Sequence, residues 1–218
     1  MRVSEQATRL TFKDPVSATT HFLGLLLGLA GLVLWLPGVV GPARFTAATL
    51  YGASLVLLFL ASSTYHFFDL GTRGNAWLQR IDHAAIYLFI AGSYLPILVV
   101  CLSGTSRVVM LALVLGLAVV GAVVKLCGVR LPDRVDTALY LALGWIVVLA
   151  ARDVFAALSA GQFALLLTGG LSYTLGAVVY ARERPDPWPG VFGHHEVWHL
   201  FVLLGAGAHF ASVASLLA

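Results

Sequence analysis

Charged residues break this chain into seven long uncharged runs, and that spacing constrains its fold more than any other feature. The runs are Pro15–Ala43, Phe45–Phe68, His83–Ser106, Val108–Val124, Thr137–Ala151, Val154–Ala181 and Val197–Ala218. About 20 apolar helical residues suffice to cross the hydrocarbon of a bilayer. Composition agrees: the 218 residues are 60% hydrophobic and 11% charged, where a soluble domain carries about a quarter charged. With a mean hydropathy of +0.93, the chain lacks the polar surface that most soluble folds need. A large extramembrane domain is excluded as well.

No apolar–polar alternation with period two is visible, which argues against a β-barrel. Backbone groups in lipid must then be satisfied within each segment, and helices do this. We expect an all-α bundle of seven transmembrane helices forming a single domain over residues 1–218. The spans fall near 18–40, 45–68, 82–103, 107–127, 134–153, 160–181 and 193–216. The fifth is the weakest, since 15 residues separate Asp136 from Arg152. The first run exceeds the roughly 7–15 apolar residues of a signal peptide, so it reads as a retained span.

Cations orient the bundle. Arg2, Arg9, Lys13, Arg73, Arg80, Lys125, Arg130, Arg134, Arg182 and Arg184 fall on one side, against Arg44, Arg107 and Arg152 on the other. Lys and Arg accumulate on cytoplasmic loops, so the N-terminus is expected inside and the C-terminus outside. The cations are scattered, with no basic stripe for nucleic acid; membrane lipids are the expected partners. Cys101 and Cys127 fall near opposite faces of the bilayer, too far apart for a disulfide. Gly24, Gly28, Gly169, Gly170 and Gly176 suit close helix contact. Trp188, between two prolines, reads as an interfacial anchor.

Ionisable groups inside spans are costly and mark functional sites. Of the seven histidines, His21, His66, His83, His194, His195 and His199 lie near cytoplasmic ends of spans, and Asp82 joins them. His195 and His199 are four apart, hence one turn apart on one helix face, the spacing that offers two imidazoles to one zinc ion. His66 could supply a third nitrogen, leaving a fourth position for water or Asp82. Ser62 shares the face of His66 and could hold the water or a ligand. The competing reading pairs these imidazoles with headgroups or backbone carbonyls.

Residues His195 to His199 also spell the HExxH pattern of zinc proteases, with Glu196 as the base. No further Asp-Gly or Glu in a polar helix completes such a site. A retinal protein is excluded, because the last span has no Lys. His209, ten residues beyond His199, is about 15 Å deeper and is expected to hydrogen-bond across helices.

Several segments together carry a resemblance. They are Asp14-Pro15 with Ala18 and Thr20-His21, Ser62-x3-His66, Asp82-His83, Ala91-Gly92-Ser93-Tyr94-x-Pro96, and Gly193-His194-His195-Glu196-x-Trp198-His199. In this order the chain resembles the hemolysin III family, bacterial relatives of the adiponectin and progestin receptors. The resemblance implies a seven-helix bundle in the bacterial plasma membrane with an inner-leaflet zinc site. It implies His66, His195 and His199 as ligands, with Asp82 acting on the metal's water and Ser62 beside them. Glu196 is outside the general pattern. The wider superfamily includes alkaline ceramidases, which hydrolyse lipid amides. The family name reflects a haemolytic phenotype, and bacterial members are linked to membrane homeostasis.

The leading expectation is a zinc-dependent hydrolase of a lipid amide or ester, with Asp82 and Ser62 catalytic. The rival is a non-catalytic lipid sensor stapled by structural zinc. A pore-forming toxin finds little support, since no amphipathic segment could switch from soluble to inserted.

Overall fold

The computed structural model describes residues 13–217; Arg2 and Arg9, part of the charge asymmetry, lie outside the described residues. Eight α-helices follow in order: α1 (Pro15–Trp35), α2 (Pro42–Phe67), α3 (Gly71–Cys101), α4 (Gly104–Leu126), α5 (Asp133–Trp145), α6 (Ala151–Ala157), α7 (Ala160–Arg182) and α8 (His194–Leu217). A 3-10 stretch, Ile146–Ala150, joins α5 to α6 in one crossing, so seven segments are long and apolar enough to span a membrane. No strand occurs among the described residues.

Helix starts follow from local chemistry. Proline opens α1 and α2, where its missing N–H costs nothing. A reciprocal capping box between Ser159 and Gln162 opens α7. In the turn before α3, Asp69 accepts from the Asn75 amide and the Gly71 N–H, at 2.8 and 3.1 Å. The Asn75 bond first, and then the Gly71 N–H, hold its carboxyl below the usual carboxylate range.

The structure moves one boundary substantially. The third span was expected to begin at residue 82, but α3 begins at Gly71 and has 31 residues, about 46 Å of helix. Arg73 and Arg80 end the apolar run without ending the helix, so α3 extends beyond an apolar layer about 30 Å thick. Asp82 thus lies about three turns inside α3 rather than at its start.

The fifth crossing, expected to be weak, is present but broken. Within hydrocarbon an unpaired peptide group costs several kcal/mol, and here the Tyr94 hydroxyl meets the break. It donates to the Leu143 and Gly144 carbonyls (2.9 and 2.6 Å) and accepts from the Val147 N–H (2.9 Å).

Packing centres on α3, the most buried span. One of its faces joins α4 and α5 through Tyr87, Tyr94, Leu98, Val114 and Leu143. Another joins α1, α2 and α8 through Phe89, Tyr51, Leu55, Phe59 and Val213. Outward-facing residues such as Leu27, Val33 and Leu34 are 63%, 73% and 83% exposed, a surface suited to lipid.

Of the five glycines expected at close helix contacts, Gly24, Gly169 and Gly176 are found there, while Gly28 and Gly170 have ordinary spacing. A Cβ on Gly24 would lie 2.7 Å from Leu203, on Gly176 2.7 Å from Phe201, and on Gly169 1.9 Å from the His209 ring. Cys101 and Cys127 are free. Trp188 is exposed on the α7–α8 loop and is bridged to Phe192.

Candidate metal centre and lipid cavity

Seven crossings bring the start of α1, the end of α2, the start of α8 and the Asp82 stretch of α3 to one end of the bundle. His66 comes from the last turn of α2 and is 2% exposed; His199, from the second turn of α8, is 1% exposed. His66, His195 and His199 each bring one nitrogen into a group spanning no more than 4.8 Å. The Nε2 atoms of His66 and His195 are 3.5 Å apart. Two nitrogens bound to a tetrahedral zinc at about 2.0–2.1 Å stand about 3.3–3.4 Å from each other, so the donor set fits this ion.

The back of His66 supports the same assignment. Its Nδ1 lies 2.9 Å from Asp14 Oδ2. A proton on Nδ1 donated to that carboxylate leaves the Nε2 lone pair facing the other histidines. Metal-binding imidazoles are oriented in this manner.

His21, on α1, stacks on His199 with ring centroids 3.8 Å apart at 16°. Its Nδ1 is 2.8 Å from Ser62 Oγ, which also neighbours the Asp82 carboxylate. Both Ser62 and Asp82 are buried, and both line the adjoining cavity. Asp82 is not among the three groups drawn to within 4.8 Å; it is linked to the cluster through Ser62 and His21. His83 lines the cavity too, while His194 packs against Tyr180.

Glu196 is engaged elsewhere. Its Oε1 accepts from Ser17 (3.0 Å) and its Oε2 from the Gly193 N–H (2.8 Å). It therefore caps α8 and ties it to α1, which accounts for the HExxH spelling without a protease. Sequence reasoning gave no role to the pairs Asp14–His66 and His21–Ser62. One signal was available: Asp14 and His21 are seven apart, nearly two full turns, and so share the side of α1 that meets α2 and α8.

The cavity has a volume of about 520 Å³. It runs from the histidines along α3, between α5, α7 and α8, to Phe163 and His209. Its walls are mostly apolar, including Ile86, Phe89, Ile90, Ile97 and Val202. Carboxylates cluster at the histidine end: Asp14, Asp82, Asp133, Asp136 and Glu196 line the cavity there, with Lys13 the cation among the lining residues. Asp136 is itself paired with the buried Lys125 of α4.

His209 was expected to hydrogen-bond across helices. The Leu166 carbonyl of α7 lies near its ring, while neither ring nitrogen has a hydrogen bond among the described residues, and the ring is pressed onto Gly169.

A seven-helix membrane protein with a histidine triad at one end of an apolar cavity is the class these features define. The chain belongs to the haemolysin-III-related family, whose model matches residues 10–210. The "Hemolysin-3 homolog" of Bacillus subtilis is 35% identical over 210 residues, covering 93% of this chain and 94% of that protein. "Hemolysin-3" of Bacillus cereus is 33% identical over 217 residues, covering 97% and 96%. Human "Monocyte to macrophage differentiation factor" is 26% identical over 197 residues, covering 83% and 78%. With its seven apolar helices, the chain is a multi-pass integral membrane protein of the plasma membrane.

Proposed function

We propose that this protein is a zinc-dependent hydrolase of a lipid amide or ester, working in the cytoplasmic leaflet. The observation that carries the reading is the convergence of three imidazoles at the end of an apolar cavity that Asp82 and Ser62 also line. His66, His195 and His199 would hold the ion. Bound zinc supplies a Lewis acid that polarises a carbonyl and makes water more acidic.

The remaining chemistry falls to this chain's own side chains. Asp82 takes a proton from the attacking water and returns it to the leaving nitrogen or oxygen, so that water adds across the acyl bond. With its Nδ1 protonated, His21 donates to Ser62. Once Asp82 has taken its proton, the Ser62 O–H that neighbours its carboxyl group can turn to donate to the carbonyl oxygen as charge develops on it. The apolar walls hold the acyl chain and place its carbonyl beside the histidines, and the cation preference at the N-terminal end supports a cytoplasmic-leaflet site. The test is hydrolysis of lipid amides and esters by purified protein, compared with Asp82→Ala. Turnover should fall by 100-fold or more, about the contribution of one acid–base group; equal turnover overturns the role of Asp82.

A second reading, a lipid sensor with structural zinc, is favoured by one observation. The cluster joins α2 to α8, which touch little elsewhere, and metal affinity can serve directly as folding free energy.

A further inference from the structure

A second hollow lies at the end of the bundle away from the histidines. Ala43, Thr46 and Leu50 of α2, Leu95 and Val99 of α3 and Leu111 of α4 line a groove of about 340 Å³. Thr46 and Leu50, like Leu95 and Val99, are one turn apart on a shared helix face. The groove therefore runs lengthwise between the helices, as an acyl chain runs in a bilayer. Thr46 and Leu50 are exposed, and Leu95, Val99 and Leu111 are half-buried, so the groove opens outward toward lipid. It shares no lining residue with the histidine cavity.

The rim of the groove is cationic. Arg44 lies between Ala43 and Thr46 in the first turn of α2 and is exposed. Arg107 lies one turn before Leu111 on α4, and its Nε donates to the Leu102 carbonyl at 2.6 Å. Leu102 closes α3 three residues beyond Val99, so this bond holds the guanidinium at the outer end of the groove. The ion pairs among the described residues involve neither arginine. Asp153 of α6, the carboxylate at this end of the described residues, lies near Cys101 and pairs with neither.

Two unpaired cations beside an apolar groove call for an occupant with an apolar chain and a negative end. A second copy of this chain, docked upright beside the first, brings its own Arg44 and Arg107 to the same depth, and facing like charges repel. A lipid without net charge fills the groove but leaves both guanidinium groups uncompensated. An anionic phospholipid supplies both parts, and the planar fork of arginine matches phosphate oxygens.

We propose that this groove binds an anionic phospholipid of the leaflet opposite the histidines, with one acyl chain between α2, α3 and α4 and the phosphate at Arg44 and Arg107. The site is independent of any metal and of hydrolysis at the histidine end.

Phosphatidylglycerol and phosphatidylcholine with the same acyl chains test it. Each is titrated into the purified full-length protein in detergent, and bound lipid is counted by native mass spectrometry. A cation near the membrane surface contributes about a fivefold gain in affinity for an anionic lipid, so phosphatidylglycerol should bind about 5- to 30-fold more tightly. Arg44→Gln and Arg107→Gln should each cut that preference about fivefold, while Arg152→Gln, on the same side but outside the groove, should leave it unchanged. Arg44 makes no ion pair or hydrogen bond among the described residues, so its variant keeps the fold. Thr46→Trp fills the groove with both arginines in place and should weaken binding of both lipids. Equal affinities in the unmodified protein overturn the site. A preference that survives both arginine variants, or that Arg152→Gln lowers equally, overturns it as well. Unaltered binding in Thr46→Trp overturns the groove as the place of the acyl chain.

Discussion

At the scale of single residues, the informative atoms are those behind the histidines. Asp14 holds the far nitrogen of His66 and so fixes which nitrogen faces its neighbours. Losing such a support typically weakens metal binding 10- to 100-fold. Asp14→Asn should therefore lower zinc affinity by about that factor in a chelator competition, with the three histidines unchanged; an unaltered affinity would refute the role given to Asp14. Residue type made His66, His195 and His199 legible in the sequence, because imidazoles four apart at the end of an apolar run have few other uses. Asp14 and His21 were not legible in the same sense. Their roles depend on how α1 lies against α2 and α8, which the spacing within α1 alone does not specify. Glu196 shows the converse: its spelling suggested a catalytic base, while its contacts with Ser17 and Gly193 make it a cap.

Among the elements, the fifth crossing depends on its neighbour. The break at Ile146–Ala150 contains neither glycine nor proline, so nothing in its own sequence announced it. Tyr94 on α3 receives the freed backbone groups on both sides of the turn. Tyr94→Phe keeps the ring and removes the oxygen that serves three of them. We expect a loss of about 1–3 kcal/mol, seen as a lower thermal midpoint in detergent; an unchanged midpoint would mean that the break is held by other contacts. The position of α3 teaches a related lesson. Charge ends an apolar run, as Arg73 and Arg80 do, but a helix ends only where its backbone pattern fails. The spans were readable for this reason, and the helix that carries Asp82 was misplaced by eleven residues at its start.

For the whole molecule, the two readings of the site make opposite predictions about metal removal. If the ion is catalytic, chelation should abolish lipid hydrolysis and shift the thermal midpoint only slightly. A staple joining α2 to α8 should instead lose several kcal/mol of stability when stripped. Measuring both quantities on one stripped and reloaded sample separates them; full activity after stripping would refute a catalytic ion. The bundle also has a history written into its connectivity. His66 is in the second membrane crossing, His195 and His199 are in the seventh, and the His21 ring stacked on His199 comes from the first. No nascent chain can assemble this cluster before residue 199 has left the ribosome and α8 has inserted. The histidine triad is therefore a product of completed biogenesis, and a translation intermediate stalled in the α7–α8 loop would have every wall of α1 to α7 in place and no triad.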